Sequence, residues 1–250
     1  MRSFPLALLT LMLGFIVAFS GCAFVSASYR KTSSLSLPYP AKSGIKVTTS
    51  NGSISVTKGS EAKIKVIAKI KASTEERLEQ VTIKHELDPS GRLALWADWP
   101  SKRKGNEGCS FEVQVPSAIG VSLQSSNGSL TIANLSGDAE LRTSNGSIRV
   151  NGHDGPVKAR SSNGSIRIDL ESQTAGPIDA KTSNGAITLG VGDAFQGRLT
   201  CSTSNGKVSF DDRLKASVES QRRTSATFNF KNGPASTART SNGSIRINRL

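Results

Sequence analysis

The sequence contains few of the residues from which reactive centres are usually built. Its 250 residues include two histidines, three cysteines and two tryptophans, and aromatic residues make up 5% of the chain. His85 and His153 lie in separate segments, so no histidine cluster is available to bind a metal ion or to activate a nucleophile. We therefore expect no catalytic residues, no metal site and no cofactor. The abundant glycine, 23 residues, favours many short strands joined by tight turns over a helical bundle.

Negative charge is also scarce, with 19 acidic residues against 32 lysines and arginines, for a formal net charge of +13. This imbalance concerns partners and solubility rather than the fold. The expected partners are anionic, namely an anionic glycan, lipopolysaccharide or an anionic lipid surface, with an envelope protein as a further candidate. Nucleic acid is disfavoured because the repeat array offers almost no exposed aromatic residues on which bases could stack.

The N-terminus has the layout of a secretory signal, with a basic start and an apolar run over residues 6–19. Phe19-Ser20-Gly21-Cys22 resembles the lipobox of bacterial lipoproteins. This resemblance predicts a signal peptide over residues 1–21, lipidation of Cys22 and a tether over residues 22–43. Cleavage after Ala27 and an uncleaved membrane anchor are the alternatives. All three place the body of the protein outside the cytoplasm, and the first predicts a membrane-anchored lipoprotein of the cell envelope, in the outer membrane or facing the periplasm.

A repeated Ser-Asn-Gly motif dominates the rest of the chain. From Asn127 onward its copies are separated by 18, 18, 21, 21 and 37 residues, and 76 residues separate the first two copies. The 37-residue interval suggests two units, with a degraded copy near Asn232-Gly233. The seven copies have their asparagine at Asn51, Asn127, Asn145, Asn163, Asn184, Asn205 and Asn242.

Apolar and polar residues alternate on both sides of each motif, which is typical of half-buried strands. Asn and Gly at the corner suggest backbone with positive φ. The pattern predicts an all-β, parallel β-helix-like solenoid of 18–21-residue repeats, with an antiparallel meander of Asn-Gly hairpins as the alternative. Residues 44–116 are predicted to form an opening or capping sheet, and residues 117–250 the repeat array. Cys201 lies in an inward column, which indicates a core residue, whereas pairing between Cys109 and Cys201 stays open.

A strand that ends in Val-Pro, Val113 to Pro116, precedes serial units of strand, Ser-Asn-Gly-Ser-Ile and strand. Over residues 44–250 this arrangement resembles the bacterial putative-adhesin family of β-strand repeat domains, whose relatives include auto-transporter adhesin head domains. The resemblance implies a β-helix-like envelope domain of unknown biochemical activity, and it implies no catalytic residues.

Basic residues recur in the outward columns of the repeats, and two exposed cations one strand apart repel each other only weakly in water. Their combined field would favour an extended anion. We predict a non-catalytic, adhesin-like lipoprotein of the envelope that acts as a binding or scaffold module. Its basic repeat face would contact anionic envelope polymers or a partner protein. The candidate anion-binding residues are Arg142, Arg149, Arg160, Arg167 and Lys181.

The alternative function is a carbohydrate-active β-helix enzyme of the polysaccharide lyase or hydrolase type. Such an enzyme needs acidic residues that converge on one face of adjacent coils. Glu140 and Asp179 share an outward column, but Lys158 lies in the coil between them, which is typical of a solvated charge ladder. The sequence therefore favours the binding module over the enzyme.

Overall fold

Each Ser-Asn-Gly unit folds as one strand before the corner and one strand after it. The computed structural model describes residues 29–38, 44–116 and 119–250. The strands before the first closely spaced repeat are β1 (Tyr29–Pro38), β2 (Ile45–Thr48), β3 (Ile54–Lys58), β4 (Lys63–Ala72), β5 (Thr82–Leu87), β6 (Leu93–Asp98) and β7 (Gly108–Val115), with helix α1 (Glu75–Gln80) between β4 and β5.

The strands of the repeat array follow in pairs, in most cases one pair per coil. They are β8 (Ile119–Asn127), β9 (Leu130–Ala133), β10 (Ser136–Asn145), β11 (Ile148–His153), β12 (Val157–Asn163), β13 (Ile166–Leu170), β14 (Ile178–Asn184), β15 (Ile187–Val191), β16 (Arg198–Asn205), β17 (Val208–Phe210), β18 (Ser217–Arg222), β19 (Ser225–Asn229), β20 (Ser236–Asn242) and β21 (Ile245–Arg249).

In the described part of the chain the strands form two sheets, and one hydrophobic core lies between them. The first sheet has ten strands in the order β1-β4-β7-β3-β9-β11-β13-β15-β21-β17. The second has eleven strands in the order β18-β19-β16-β20-β14-β12-β10-β8-β2-β6-β5. Strands before each corner belong to the second sheet and strands after it to the first. The helix found in the described residues lacks the length and apolar character needed to cross a membrane.

Like residues stack on one another through the array. Ile148 is in register with Ile166, and Ile166 with Ile187, in parallel pairs. All three side chains are at most 1% exposed. Parallel pairing one repeat apart confirms the solenoid, and the alternative meander of hairpins is wrong for these strands. The antiparallel pairs among the described strands lie at the ends of the two sheets.

The spatial order of the coils departs from the chain order at both ends of the solenoid. The coil formed by β2 and β3 lies between the coil of β6 and β7 and that of β8 and β9. Likewise, the last coil in the chain, β20 and β21, lies between the coil of β14 and β15 and that of β16 and β17. In each long sequence interval, 76 and 37 residues, the chain forms strands at one end of the solenoid, β4–β7 or β18–β19, and then returns to a coil beside the one it left.

The 37-residue interval does not contain a degraded coil, so the prediction of a copy near Asn232-Gly233 is wrong. Strands β18 and β19 in this interval form an antiparallel hairpin, and β19 pairs antiparallel with β16. The hairpin therefore covers β16, the strand at which the stack of parallel strands ends on the second sheet. Stacked strands leave an open edge at each end of a solenoid, and such an edge must be covered or charged.

The opposite end is covered by β4 and β1 on the first sheet and by β5 on the second. β1 pairs antiparallel with β4 over its whole length, so part of the 22–43 segment predicted as a tether is a strand. The alternating burial of Leu35 and Leu37 along β1 explains this pairing. The remaining residues of the predicted tether, 22–28 and 39–43, lie outside the described residues.

A buried ion pair anchors helix α1 at this capped end. The Glu107 carboxylate is fully buried and accepts hydrogen bonds from Arg77 Nε (2.6 Å to Oε1) and Arg77 Nη2 (2.8 Å to Oε2). The Ser73 hydroxyl and the Lys104 backbone N–H also donate to it. The Arg77 guanidinium holds the pKa of Glu107 well below its usual range. Every oxygen of this buried charge therefore has a partner, as burial of a carboxylate requires.

The corner glycines serve a close approach between coils, and the prediction that the Asn-Gly corner needs positive φ is wrong for most copies. The motif asparagines do not have positive φ, and Gly146 also lacks it. A Cβ placed on Gly146 would lie 2.1 Å from the carbonyl oxygen of Gly128 in the neighbouring coil. Glycine is required because the two backbones approach too closely for any side chain.

Two ladders of hydrogen bonds follow the corners. The Nδ2 atom of each motif asparagine from Asn127 onward donates to Oδ1 of a neighbouring asparagine at 2.7–2.9 Å, in the order Asn51, Asn127, Asn145, Asn163, Asn184, Asn242, Asn205. For each copy from Asn127 onward, the Ser or Thr two residues before the asparagine donates its hydroxyl to the corner glycine carbonyl of the adjacent coil at 2.8–3.0 Å. The repeated side chains thus satisfy the polar groups that the tight corner leaves unpaired.

Both described cysteines are free and buried. Cys201 is 0% exposed and lies in register with Ala238 on β20, which confirms its predicted position in an inward column. Burial raises the pKa of Cys109 and of Cys201 to about 12. Because the thiolate is the reactive form, neither thiol is suited to chemistry at neutral pH.

Candidate functional site

The outer face of the second sheet carries basic residues on four consecutive strands. Arg142 on β10, Arg160 on β12, Lys181 on β14 and Arg239 on β20 are in register. We call these four residues the cation row. Because neighbouring strands lie about 4.8 Å apart, the row presents one cation per strand spacing. The insertion of β20 beside β14 extends the row from three cations to four.

A second outward row, two residues earlier on each strand, partly balances this charge. Glu140, Lys158 and Asp179 occupy it on β10, β12 and β14. Glu140 Oε1 accepts from Arg142 Nη2 at 2.6 Å, and Asp179 is paired with Arg160. The Arg142 guanidinium lowers the pKa of Glu140.

Five cations therefore face two carboxylates in these two rows. Among the described residues, Lys181 and Arg239 have no carboxylate partner. The unbalanced positive charge is concentrated on β14 and β20.

Hydroxyl groups border the cation row on its other side. Ser126, Ser144, Ser162 and Ser183, which directly precede the motif asparagines, are exposed. They line a shallow groove of about 330 Å³ together with the first three residues of the cation row. The period of two places these serines and the cations on the same side of the sheet. The face thus offers charged donors and neutral hydroxyls in parallel rows along the solenoid axis.

The five predicted anion-binding residues do not form one cluster. Arg149 on β11 and Arg167 on β13 are adjacent in register, but they lie on the outer face of the first sheet. Arg167 Nε is 2.7 Å from Asp169 Oδ2, and Thr188 follows Arg167 in register on β15. The two sheets face each other across the core, so their outer faces point in opposite directions. Arg142, Arg160 and Lys181 belong to one face, and Arg149 and Arg167 to the other.

A larger groove of about 730 Å³ lies at the start of the same strands of the second sheet. It contains Asp138, Glu140 and Asp179 as well as Lys158. The last two acids are two strands apart, about 10 Å, with Lys158 between them. Both are ion-paired, and the pKa of Glu140 is lowered, whereas a general acid needs a raised pKa. Glu140, Lys158 and Asp179 thus form a row of alternating charge, as the sequence predicts, and not a pair of converging acids.

The histidine of the repeat array is part of the core. His153 ends β11 and is fully buried, with Nε2 2.8 Å from the Gly137 carbonyl oxygen. Burial lowers its pKa, so the imidazole is neutral. In the described part of the chain, no group of three or more His, Cys, Asp and Glu side chains is placed to bind a metal ion. Cys22, the predicted lipidation site, lies outside the described residues.

Comparison with known proteins identifies the family of this chain. The sequence model of the family described as Toastrack DUF4097 matches residues 11–248. The chain belongs to this family. The match confirms the resemblance to a family of β-strand repeat domains, and it spans both the capping strands and the repeat array of this Toastrack protein.

The chain is also similar to solved structures at low sequence identity. One is a putative cell adhesion protein from Clostridium sporogenes ATCC 15579, with 13% identity and a TM-score of 0.39 over 90% of this chain and 100% of that one. Another is a putative adhesin from Bacteroides fragilis NCTC 9343, with 13% identity and a TM-score of 0.42 over 88% of this chain and 97% of that one. No curated protein matches the chain.

Proposed function

We propose that this Toastrack protein is a non-catalytic binding or scaffold module of the cell envelope, and that the outer face of its second sheet binds an extended anionic polymer. The observation that carries the proposal is the cation row, four in-register basic residues on consecutive strands. A linear polymer with a charge at regular intervals matches such a row. The hydroxyls of the flanking serines supply donors and acceptors for uncharged groups of the same polymer.

The opposite face is the weaker candidate. Arg149 and Arg167 are adjacent, but the next residue in register is the uncharged Thr188. Arg167 is also already ion-paired with Asp169. On the second sheet, Lys181 and Arg239 are adjacent, exposed and without a carboxylate partner among the described residues. Unpaired cations are free to bind an external anion without first breaking an ion pair.

The test is salt-dependent retention of the full chain on immobilised polygalacturonate. Lys181→Ala combined with Arg239→Ala is expected to weaken binding roughly fivefold or more, since each exposed charge contact contributes about 0.5–1 kcal/mol. Arg149→Ala combined with Arg167→Ala removes the same charge from the other face and is the matched control. Equal weakening by both double variants would show that net charge alone drives retention. Unchanged retention of the first variant would overturn the role of the cation row.

We further propose that the chain is exported and anchored through a lipid on Cys22. The support is the apolar run over residues 6–19 followed by Phe19-Ser20-Gly21-Cys22. Mass spectrometry of the mature protein is expected to show an N-terminal lipidated cysteine, and Cys22→Ser should release the protein from the membrane fraction. A mature protein that begins at residue 28 would instead establish cleavage after Ala27.

A further inference from the structure

Both tryptophans of the chain lie in one groove near the capped end of the solenoid. Trp96, on β6, is partly exposed and is in register with Thr48 on β2. The preceding residue, Leu95, is buried in the core opposite Val47, so Trp96 points to the outer face of the second sheet. Trp99 follows the strand and packs partly against the core. The groove has a volume of about 590 Å³, within the range of small-ligand sites.

The polar lining of this groove is mixed in charge. Lys46 and Arg103 lie in it together with Glu86 and Asp88. Asp88 is already bound by Ser90 and by Arg92, and these hydrogen bonds lower its pKa to about 2. An indole surface surrounded by hydroxyls and by charged donors is suited to a ring that is apolar on its face and polar at its edge.

The tryptophan and the cation row lie on one line across the sheet. In register, Trp96 on β6 is followed by Thr48 on β2, Gln124 on β8 and Arg142 on β10, the first member of the row. Three strand spacings separate Trp96 from Arg142, about 14 Å. On the other side of Trp96, Lys84 on β5 continues the line. A single linear ligand along the solenoid axis can therefore contact both features.

We infer that Trp96 is a sugar-stacking subsite at one end of the cation row, and that the polymer bound by the second sheet is an acidic polysaccharide. The inference rests on the proposed function and specifies its ligand class. A pyranose ring stacks on the indole, and charged sugars further along the chain meet Arg142 and its neighbours. The exposed serines beside the row bind sugar hydroxyls.

Single-stranded nucleic acid fits the same line less well. Proteins that bind it place aromatic side chains at successive bases along the groove. Here the line from Thr48 to Arg239 contains no aromatic residue, because its members are Thr48, Gln124, Arg142, Arg160, Lys181 and Arg239. The aromatic contact is confined to one end, as expected for one stacked ring on an otherwise polar chain.

The test uses the intrinsic fluorescence of the full chain, because its two tryptophans both report on this groove. The chain is titrated with oligogalacturonate, with a neutral malto-oligosaccharide of equal length and with a short thymidine oligonucleotide. Oligogalacturonate is expected to change the emission in a saturable manner. Trp96→Ala should lower its affinity about fivefold, because the apolar face of the sugar ring is no longer buried against the indole, and Trp96→Phe should retain most of the affinity. Calorimetry supplies the affinity of the alanine variant, and thermal unfolding verifies that it is folded.

Three results would overturn the inference. The first is equal affinity of Trp96→Ala and the original chain for oligogalacturonate; if the Lys181→Ala, Arg239→Ala variant is still weakened, the anionic-polymer function survives without the sugar subsite. The second is equal or tighter binding of the thymidine oligonucleotide with the same emission change, which assigns the line to nucleic acid. The third is equal affinity for the neutral oligosaccharide and for oligogalacturonate, which would show that the tryptophan groove binds sugars without help from the cation row. Absence of binding by every acidic probe would remove the proposed function as well.

Discussion

Replacing Gly146 with alanine should destabilise the protein by about 3 kcal/mol or more, at the upper end of the cost of overpacking. The added Cβ would lie 2.1 Å from the Gly128 oxygen and 2.5 Å from its carbonyl carbon. The residues on either side of Gly128, Asn127 and Ser129, accept backbone hydrogen bonds from Gly52 and Ile54 of the next coil, so Gly128 cannot move away without disturbing that coil. Urea unfolding followed by circular dichroism measures the loss of stability.

The control for this substitution is Gly105→Ala in the loop before β7. A Cβ at Gly105 would have no atom within 4 Å, so the midpoint of urea unfolding of this variant should be close to that of the original protein. If Gly146→Ala were as stable as Gly105→Ala, the close approach of the corner backbones would not be a constraint on the sequence. The requirement for glycine at this corner would then have no steric basis.

Truncating Ile166 to alanine is expected to cost about 2–5 kcal/mol, as for other large aliphatic side chains in a close-packed core. Ile166 is 1% exposed and lies between Ile148 and Ile187 in the central coils of the array. The cavity would be bounded by strands that are held on both sides, which leaves little room for collapse. Thermal and urea unfolding give the change in the free energy of unfolding.

Thr188→Ala is the matched control for Ile166→Ala. Thr188 is on the adjacent strand, in register with Arg167, and points outward. Its truncation should change stability by about 0.5 kcal/mol or less, as is usual for surface positions. Equal destabilisation by the two variants would contradict the assignment of inward and outward columns, and with it the outward position of the cations.

The columns within the array were predictable because strand geometry has a period of two and the repeats have nearly constant length. Ile148, Ile166 and Ile187 are in register for this reason, as are Arg142, Arg160 and Lys181. The same reasoning could not say that Arg149 and Arg167 lie on the face opposite Arg142. That separation depends on how the two strands of a coil fold over a common core.

The outward position of Trp96 could have been found from its pattern. In Leu93-Ala-Leu-Trp96 the two leucines are two residues apart and mark the inward side, so the tryptophan lies on the outward side together with Ala94. Its distance from the cation row could not be predicted. Trp96 and Arg142 are 46 residues apart, and only the interposition of β2 between β6 and β8 places them on one line.

By itself, the sequence determined the stacked coils, the buried columns of aliphatic side chains and the outward basic residues. A pattern of period two that is repeated at constant spacing specifies which side of a strand each residue occupies. Only the tertiary structure decided the order of the coils, the covering hairpins and the reason for the corner glycines. Every copy of Ser-Asn-Gly offers similar hydrogen bonds to any neighbouring copy, so the motif cannot distinguish which coils are adjacent. The choice depends on long-range packing, which places β2 beside β6 and β20 beside β14.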